Sequence, residues 1–150
     1  MQLRLLSHTD PNAAEMGTIV FSGMVEAHRE AGLFLPATCT PGLFTNLWVN
    51  DALKVFAVFE GARVIGIRTV VLSPCLFNDS VMMASTTTLY VHPDARHRGA
   101  GKMLMQQGDI YLKQLGIVMS VTMFTPRDAA KQDAAELGYE PKVVLAERQL

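Results

Sequence analysis

Between residues 89 and 107 the sequence reads LYVHPDARHRGAGKMLMQQ, with Arg96, His97, Arg98 and Lys102 crowded around Gly99 and Gly101 where an apolar run passes into a helical pattern. A helix N-terminus already carries roughly half a positive elementary charge, so cations placed there repel it and call for a compensating anion. Glycine supplies the other half of that chemistry. Without a Cβ it lets backbone N–H groups approach a ligand closely, and the first amides of a helix point outward with no intrahelical acceptor. Such a turn is a cradle for a phosphate or diphosphate. The plainer reading of the same residues is a solvated basic turn in which the glycines only permit the bend.

Two familiar phosphate motifs do not fit. A P-loop, GxxxxGK[ST], would need glycine at Arg96 and a hydroxyl at Met103. A dinucleotide fingerprint starting at Gly99 would need glycine at Leu104, and the surrounding strands read as antiparallel rather than as a parallel βαβ unit.

The elements that must hold this turn follow from periodicity and punctuation. Residues 2–6 alternate as a short strand, and SHTDPN caps a helix running to about Gly32, with Met16, Ile19, Val20, Met24 and Ala27 as its buried stripe. LFLPATCTPGLFTN is loop, with one helical turn around residues 43–49. LKVFAVFEGARVIGIRTVVLS reads as a hairpin about Glu60-Gly61, and a second turn at PCLFND leads into the strand SVMMASTTTLYV, ended by Pro93. A helix over residues 101–115 turns Leu104, Ile110, Tyr111 and Leu115 inward and stops at Gly116. IVMSVTMF is a strand, PRDAAKQDAAELG a helix and KVVLAERQL a last strand, so the order predicts an α/β fold with a mixed sheet.

Composition bounds the function. A chain of 150 residues suits one domain, taken as residues 1–150, and 49% hydrophobic against 18% charged residues leaves ample material for a core. The net charge of −1 gives no global attraction to nucleic acid or an anionic membrane, so basic chemistry is local. Cys39 and Cys75 lack metal-type spacing and read as free thiols, so no metal is expected. No apolar run reaches the roughly 18–20 residues of a membrane span, and the N-terminus has no signal-like stretch, which reads as cytoplasmic.

One pattern remains for the basic turn. Val91 to Gly101 carries V-x-P-x-x-R-x-x-G-x-G with every anchor in place, and this resembles the GNAT superfamily of acetyl-CoA-dependent N-acetyltransferases. The element order and the late AAELGYE, similar to the family's LGF segment, extend the resemblance over the chain. It implies a GNAT-like, mainly antiparallel sheet with flanking helices, and acetyl-CoA lying where two strands splay. By the resemblance, backbone groups of Leu89, Tyr90 and Val91 flank the pantetheine arm, with Leu89 and Val91 pairing with it. The amides of Arg98, Gly99, Ala100, Gly101 and Lys102 hold the pyrophosphate, and Arg96, His97, Arg98 and Arg127 stand near its phosphates.

The implied reaction is direct attack of an amine on the thioester, which needs a neutral amine and a proton for the departing thiolate. For an amine of pKa near 10.4, neutrality at pH 7 costs about 4–5 kcal/mol, so a base or a desolvating pocket helps. The motif strand offers no acid, only Thr86, Thr87 and Thr88, which suit a relay water or plain strand packing. His28 and Glu30, with Glu26, sit late on the first helix and are candidates for base or ammonium anchor. The position where the family often carries a tyrosine acid is Ala134, and an asparagine common in the family aligns with Arg127. Tyr90 is the substitute acid, while Tyr139 reads as packing. The competing expectation is a CoA-binding module without transfer activity, and DNA binding by the basic cluster is a third. A homodimer is also expected.

Overall fold

The structure, a computed structural model, describes residues 1–31, 41–75, 78–122 and 135–136. The β-branched and aromatic residues at 53–60 and 63–75 make strands because such side chains fit a pleated, buried surface. They are β2 (Leu53–Glu60) and β3 (Arg63–Cys75), paired antiparallel. Gly61, at φ +60, is the first of two loop residues, and Ala62 keeps a negative φ, the pattern of a type II′ hairpin. Outside them lie β1 (Gln2–Leu6), antiparallel to β2, and β4 (Asn78–Val91), antiparallel to β3. β5 (Met119–Thr122) runs parallel to β4, giving the order β1-β2-β3-β4-β5 and a mainly antiparallel mixed sheet.

Helices cover both faces. α1 (Ala13–Ala31) and α2 (Pro41–Val49) pack on one face through Met16, Val20, Phe44 and Trp48 against Val55, Ala57, Phe59 and Ile67. α3 (Ala100–Gln114) covers the other through Ala100, Leu104 and Leu112 against Phe56, Val58, Ile65, Val70 and Ala84. No helix among the described residues is long and apolar enough to cross a membrane.

The structure corrects several expectations. β4, α3 and β5 form a parallel strand–helix–strand unit, so that objection to a dinucleotide fingerprint falls while Leu104 in place of its last glycine stands. α2 extends over a full Pro41–Val49 rather than a single turn. On α1, Ile19 is exposed and Gly23 takes the sheet-facing position: a Cβ there would meet Ile67 Cδ1 at 2.7 Å. On α3 the buried face is Ala100, Leu104, Met105, Gly108 and Leu112, whereas Ile110 and Leu115 are 57% and 51% exposed. Tyr111 sits on the flank with its ring 6.2 Å from that of Phe56. Large apolar residues suggested one face, but small ones decide it, because Gly108 lets the helix settle on the sheet. α3 ends as expected: Gly116, at φ +82, closes a Schellman turn with Gly116 N–H donating to Lys113 O and Ile117 N–H to Leu112 O. The helix expected over residues 126–138 is described only at Ala135 and Glu136. The last strand, Cys39, Arg127, Ala134 and Tyr139 lie outside the described residues.

Candidate active site at the end of β4

β4 changes character along its length. Among the described residues the pairing of β4 with β5 runs from Met83↔Met119 to Thr86↔Thr122. On the β3 side the register jumps from Thr69↔Thr88 to Val70↔Thr86, leaving Thr87 as a bulge residue. One extra residue reverses the alternation of faces. Ala84 and Thr86 face α3; beyond the bulge it is Val91 that packs on the α3 side, while Tyr90 turns to the α1 side and rests near Gly23. Thr87 Oγ1 lies 2.8 Å from Thr69 Oγ1, and Thr86 Oγ1 is held by Arg68, so two of the three threonines proposed for a relay water are engaged with β3.

The bulge also leaves a defined backbone edge. In an antiparallel ladder the N–H and C=O of one residue point the same way and alternate between neighbours. His92 N–H donates to Ile65 O on β3, so Leu89 and Val91 present their backbone groups to the side away from β3, while Tyr90 faces it.

The 3-10 turn Pro93–Ala95 then carries the chain to α3. His97 (φ 60) and Gly99 (φ 89) both take left-handed conformations, and Gly99 caps the helix with no side-chain cap bond. A Cβ on Gly99 would meet no atom within 4 Å, so the turn opens to solvent. Met103 N–H makes the first bond, to Gly99 O, so the amides of Ala100, Gly101 and Lys102 begin the helix without intrahelical acceptors. Gly101 lies against Val91, its would-be Cβ 3.7 Å from Val91 Cγ2, which sets the amide turn beside the end of β4.

Carboxylates from other elements answer the charge of this turn. Arg96 Nη2 donates to both oxygens of Glu30 on α1 (2.7 and 2.6 Å), and its Nε donates to Val91 O at 2.9 Å. Arg98 pairs with Glu60 at the end of β2. Arg96 and Glu30 were expected apart, as phosphate contact and base; the structure joins them, tying α1 to the turn. His97 and Lys102 are exposed. His28 is half-buried on α1, and Tyr90 is half-buried with the Arg96 guanidinium 6.0 Å from its ring centroid. Desolvation, with the nearby Glu30 charge, pushes the Tyr90 phenol above its ordinary value and keeps it protonated, against the opposing pull of Arg96.

Beside the turn, Arg63 Nη1 donates to Asp94 Oδ2 at 2.7 Å, and this bond, helped by His92, holds the Asp94 carboxyl below its ordinary 3.8. A carboxylate held low adds stability that is present above its unfolded value and is lost as pH falls through the folded one. The melting temperatures of wild type and Asp94→Asn should therefore differ at neutral pH and converge in acid; a gap that persists to about pH 2 would contradict the pairing.

Sequence reasoning missed the largest fully buried side chain among the described residues, Arg68, 0% exposed in the middle of β3. Its signal was present, since an arginine inside IGIRTVV cannot be buried without partners. Nε donates to Thr86 Oγ1 (3.0 Å), Nη1 to Asp109 Oδ1 (2.8 Å) and to the carbonyls of Leu104 and Met105, and Nη2 to Ser120 Oγ (3.2 Å). Gly108 is the clearance it needs, for a Cβ there would lie 3.0 Å from Nη1.

The profile of the acetyltransferase (GNAT) family matches residues 21–139. The chain belongs to the GNAT acetyltransferase family. Solved structures share the fold at low identity. A predicted acetyltransferase from Clostridium acetobutylicum, solved with acetyl-CoA, superposes with a TM-score of 0.77 at 13% identity over 99% of this chain and 95% of that one. A GCN5-related N-acetyltransferase from Ralstonia eutropha JMP134 gives 0.75 at 18%, covering 99% and 97%. An aminoglycoside acetyltransferase from an uncultured soil metagenomic sample, in complex with sisomicin, gives 0.74 at 18%, covering 99% and 95%. No curated protein matches the sequence. Among the described residues of this GNAT chain, no three His, Cys, Asp or Glu side chains gather as a metal site.

Proposed function

We propose that this GNAT chain, acting as one domain over residues 1–150, moves the acetyl group of acetyl-CoA to a primary amine by direct attack. The observation that carries the reading is the conjunction at the end of β4: backbone groups of Leu89 and Val91 directed away from β3, with Val91 O held by Arg96 Nε, lead straight into the uncapped amides at the start of α3. A pantetheine arm carries amides that can pair with such groups, and a diphosphate fits N–H donors at a helix N-terminus. With Arg96 and Arg98 already paired, backbone amides from Arg98 to Lys102 are the principal anion donors, joined by His97 and Lys102. Exposed ion pairs are worth only about 0–1 kcal/mol, so Arg98 can exchange Glu60 for a phosphate at little cost.

In the reaction the amine nitrogen attacks the thioester carbonyl carbon, a tetrahedral adduct forms, the C–S bond breaks and the CoA sulfur leaves. The amine must lose a proton and the thiolate can gain one. His28, beside the α1 end of the site, is the candidate acceptor. Glu30 serves by positioning Arg96 or by anchoring a cationic acceptor. Tyr90, kept protonated by its half-buried site, is the candidate donor to the thiolate. A thiol of pKa near 8.5 leaves tolerably unassisted, and general acid help is worth about 10²–10⁴-fold, so Ala134 in the usual acid position does not preclude turnover. Glu26 is paired with Arg29 and Glu30 with Arg96, so the acceptor is left to the assay, and aminoglycosides belong in the first panel because a structural neighbour bears that name. The protein is read as cytoplasmic and as a dimer.

Calorimetric titration of acetyl-CoA followed by thiol-release assays over a panel of amines tests this. Saturable binding with amine-dependent CoA release is the expected result. Binding without release for any amine would leave a CoA-binding module, and no binding would remove the reading altogether.

A further inference from the structure

We infer that Arg68 is a positioning residue for acetyl-CoA: it ties β4, which carries the Leu89–Val91 edge, to α3, which carries the amide turn, and to β5. The inference rests on the acetyl-CoA reading above. Arg68 sits on β3, which supplies neither that edge nor the amide turn, yet it reaches both elements that do, and β5. Its Nε holds Thr86 Oγ1, its Nη2 holds Ser120 Oγ, and its Nη1 holds Asp109 and the Leu104 and Met105 carbonyls of α3. Thr86 pairs with Thr122 of β5, whose hydroxyl donates to Thr86 Oγ1 at 3.0 Å. Thr86 is thereby held on both sides, one residue before the bulge at Thr87 and three before Leu89.

Geometry explains why an arginine is used. A planar guanidinium presents five N–H donors in fixed directions, so it holds two neighbouring strands and the helix packed over them at set distances, and no buried side-chain polar atom among the described residues is left without a partner. An apolar residue of equal volume would fill the core without fixing β4 against α3 and β5. Lysine, a point charge with three donors, cannot reach Thr86, Ser120 and Asp109 together. The amide turn, in contrast, takes its shape from the local backbone at His97 and Gly99, so its amides stay grouped even when α3 shifts against β4.

The two halves of the ligand therefore respond differently. Acetyl-CoA, which needs the β4 edge and the turn in register, should bind Arg68→Met roughly tenfold to a hundredfold more weakly, the range expected for losing hydrogen bonds to a charged group. The fragment 3′-phospho-ADP, which carries the diphosphate but no pantetheine arm, should keep its affinity within about threefold. Leu112→Ala, a cavity at the far end of α3, is the stability control and should bind both ligands as wild type does below its melting temperature. If Arg68→Met does not fold, Thr86→Val removes the tie to β4 and is read in the same way. A folded Arg68→Met or Thr86→Val that binds acetyl-CoA as wild type does overturns the inference, as does equal weakening of both ligands. Wild type that fails to bind acetyl-CoA defeats the acetyl-CoA reading itself, and this is seen before any variant is made.

Discussion

Gly99→Asp should fold and lose acetyl-CoA by more than about a hundredfold, read by calorimetry against wild type. Folding survives because a Cβ at this position meets nothing within 4 Å, so the cost is only that of a side chain at φ 89. That strain is about 1–2 kcal/mol, set against the roughly 5–15 kcal/mol that holds a domain together. Binding does not survive, since the new carboxylate stands where the diphosphate must lie. At an effective dielectric of about 20, two like charges some 5 Å apart cost roughly 3 kcal/mol, which is more than two decades in affinity. Gly99→Ala separates the causes, because it shares the strain without the charge and should bind within about tenfold of wild type. Wild-type affinity in Gly99→Asp would mean that the amide turn is not where the anion sits.

The second large effect falls on folding. Leu104 is fully buried, one turn into α3, with its Cδ1 against Gly66 of β3 and its neighbours Phe56, Val58 and Ile65 in one core. Leu104→Ala leaves a cavity in that core and should cost about 2–5 kcal/mol. In a chain of this size that lowers the melting temperature by roughly 5–20 °C. Ile110→Ala on the same helix should change stability by no more than about 0.5 kcal/mol, because its side chain is mostly in water. The comparison also tests the phase of the helix. If Ile110→Ala proved the more damaging, the buried face of α3 would be misassigned.

Charge at the turn shows how local and tertiary information divide. Cations beside a helix N-terminus pointed correctly to a need for negative charge, but local sequence cannot say where it comes from. Glu30 is 66 residues from Arg96 and Glu60 is 38 from Arg98, and only the fold brings them together. Arg68 makes the same point in the core: its burial is implied by the apolar residues around it, whereas its partners come from β4, α3 and β5.

The sequence alone determined the family-bearing turn from Val91 to Gly101, the β2–β3 hairpin at Gly61 and the Gly116 helix stop, because each is written in neighbouring residues. Backbone conformations that need glycine or proline, and alternation along a strand, are short-range properties. Tertiary structure alone decided the parallel placement of β5, the bulge at Thr87, the face of α3 that is buried and the ion-pair partners of Arg96, Arg98 and Arg68. These depend on which surfaces meet across long stretches of chain. There close packing, and the need to pair every buried charge, override the pattern that any one segment carries.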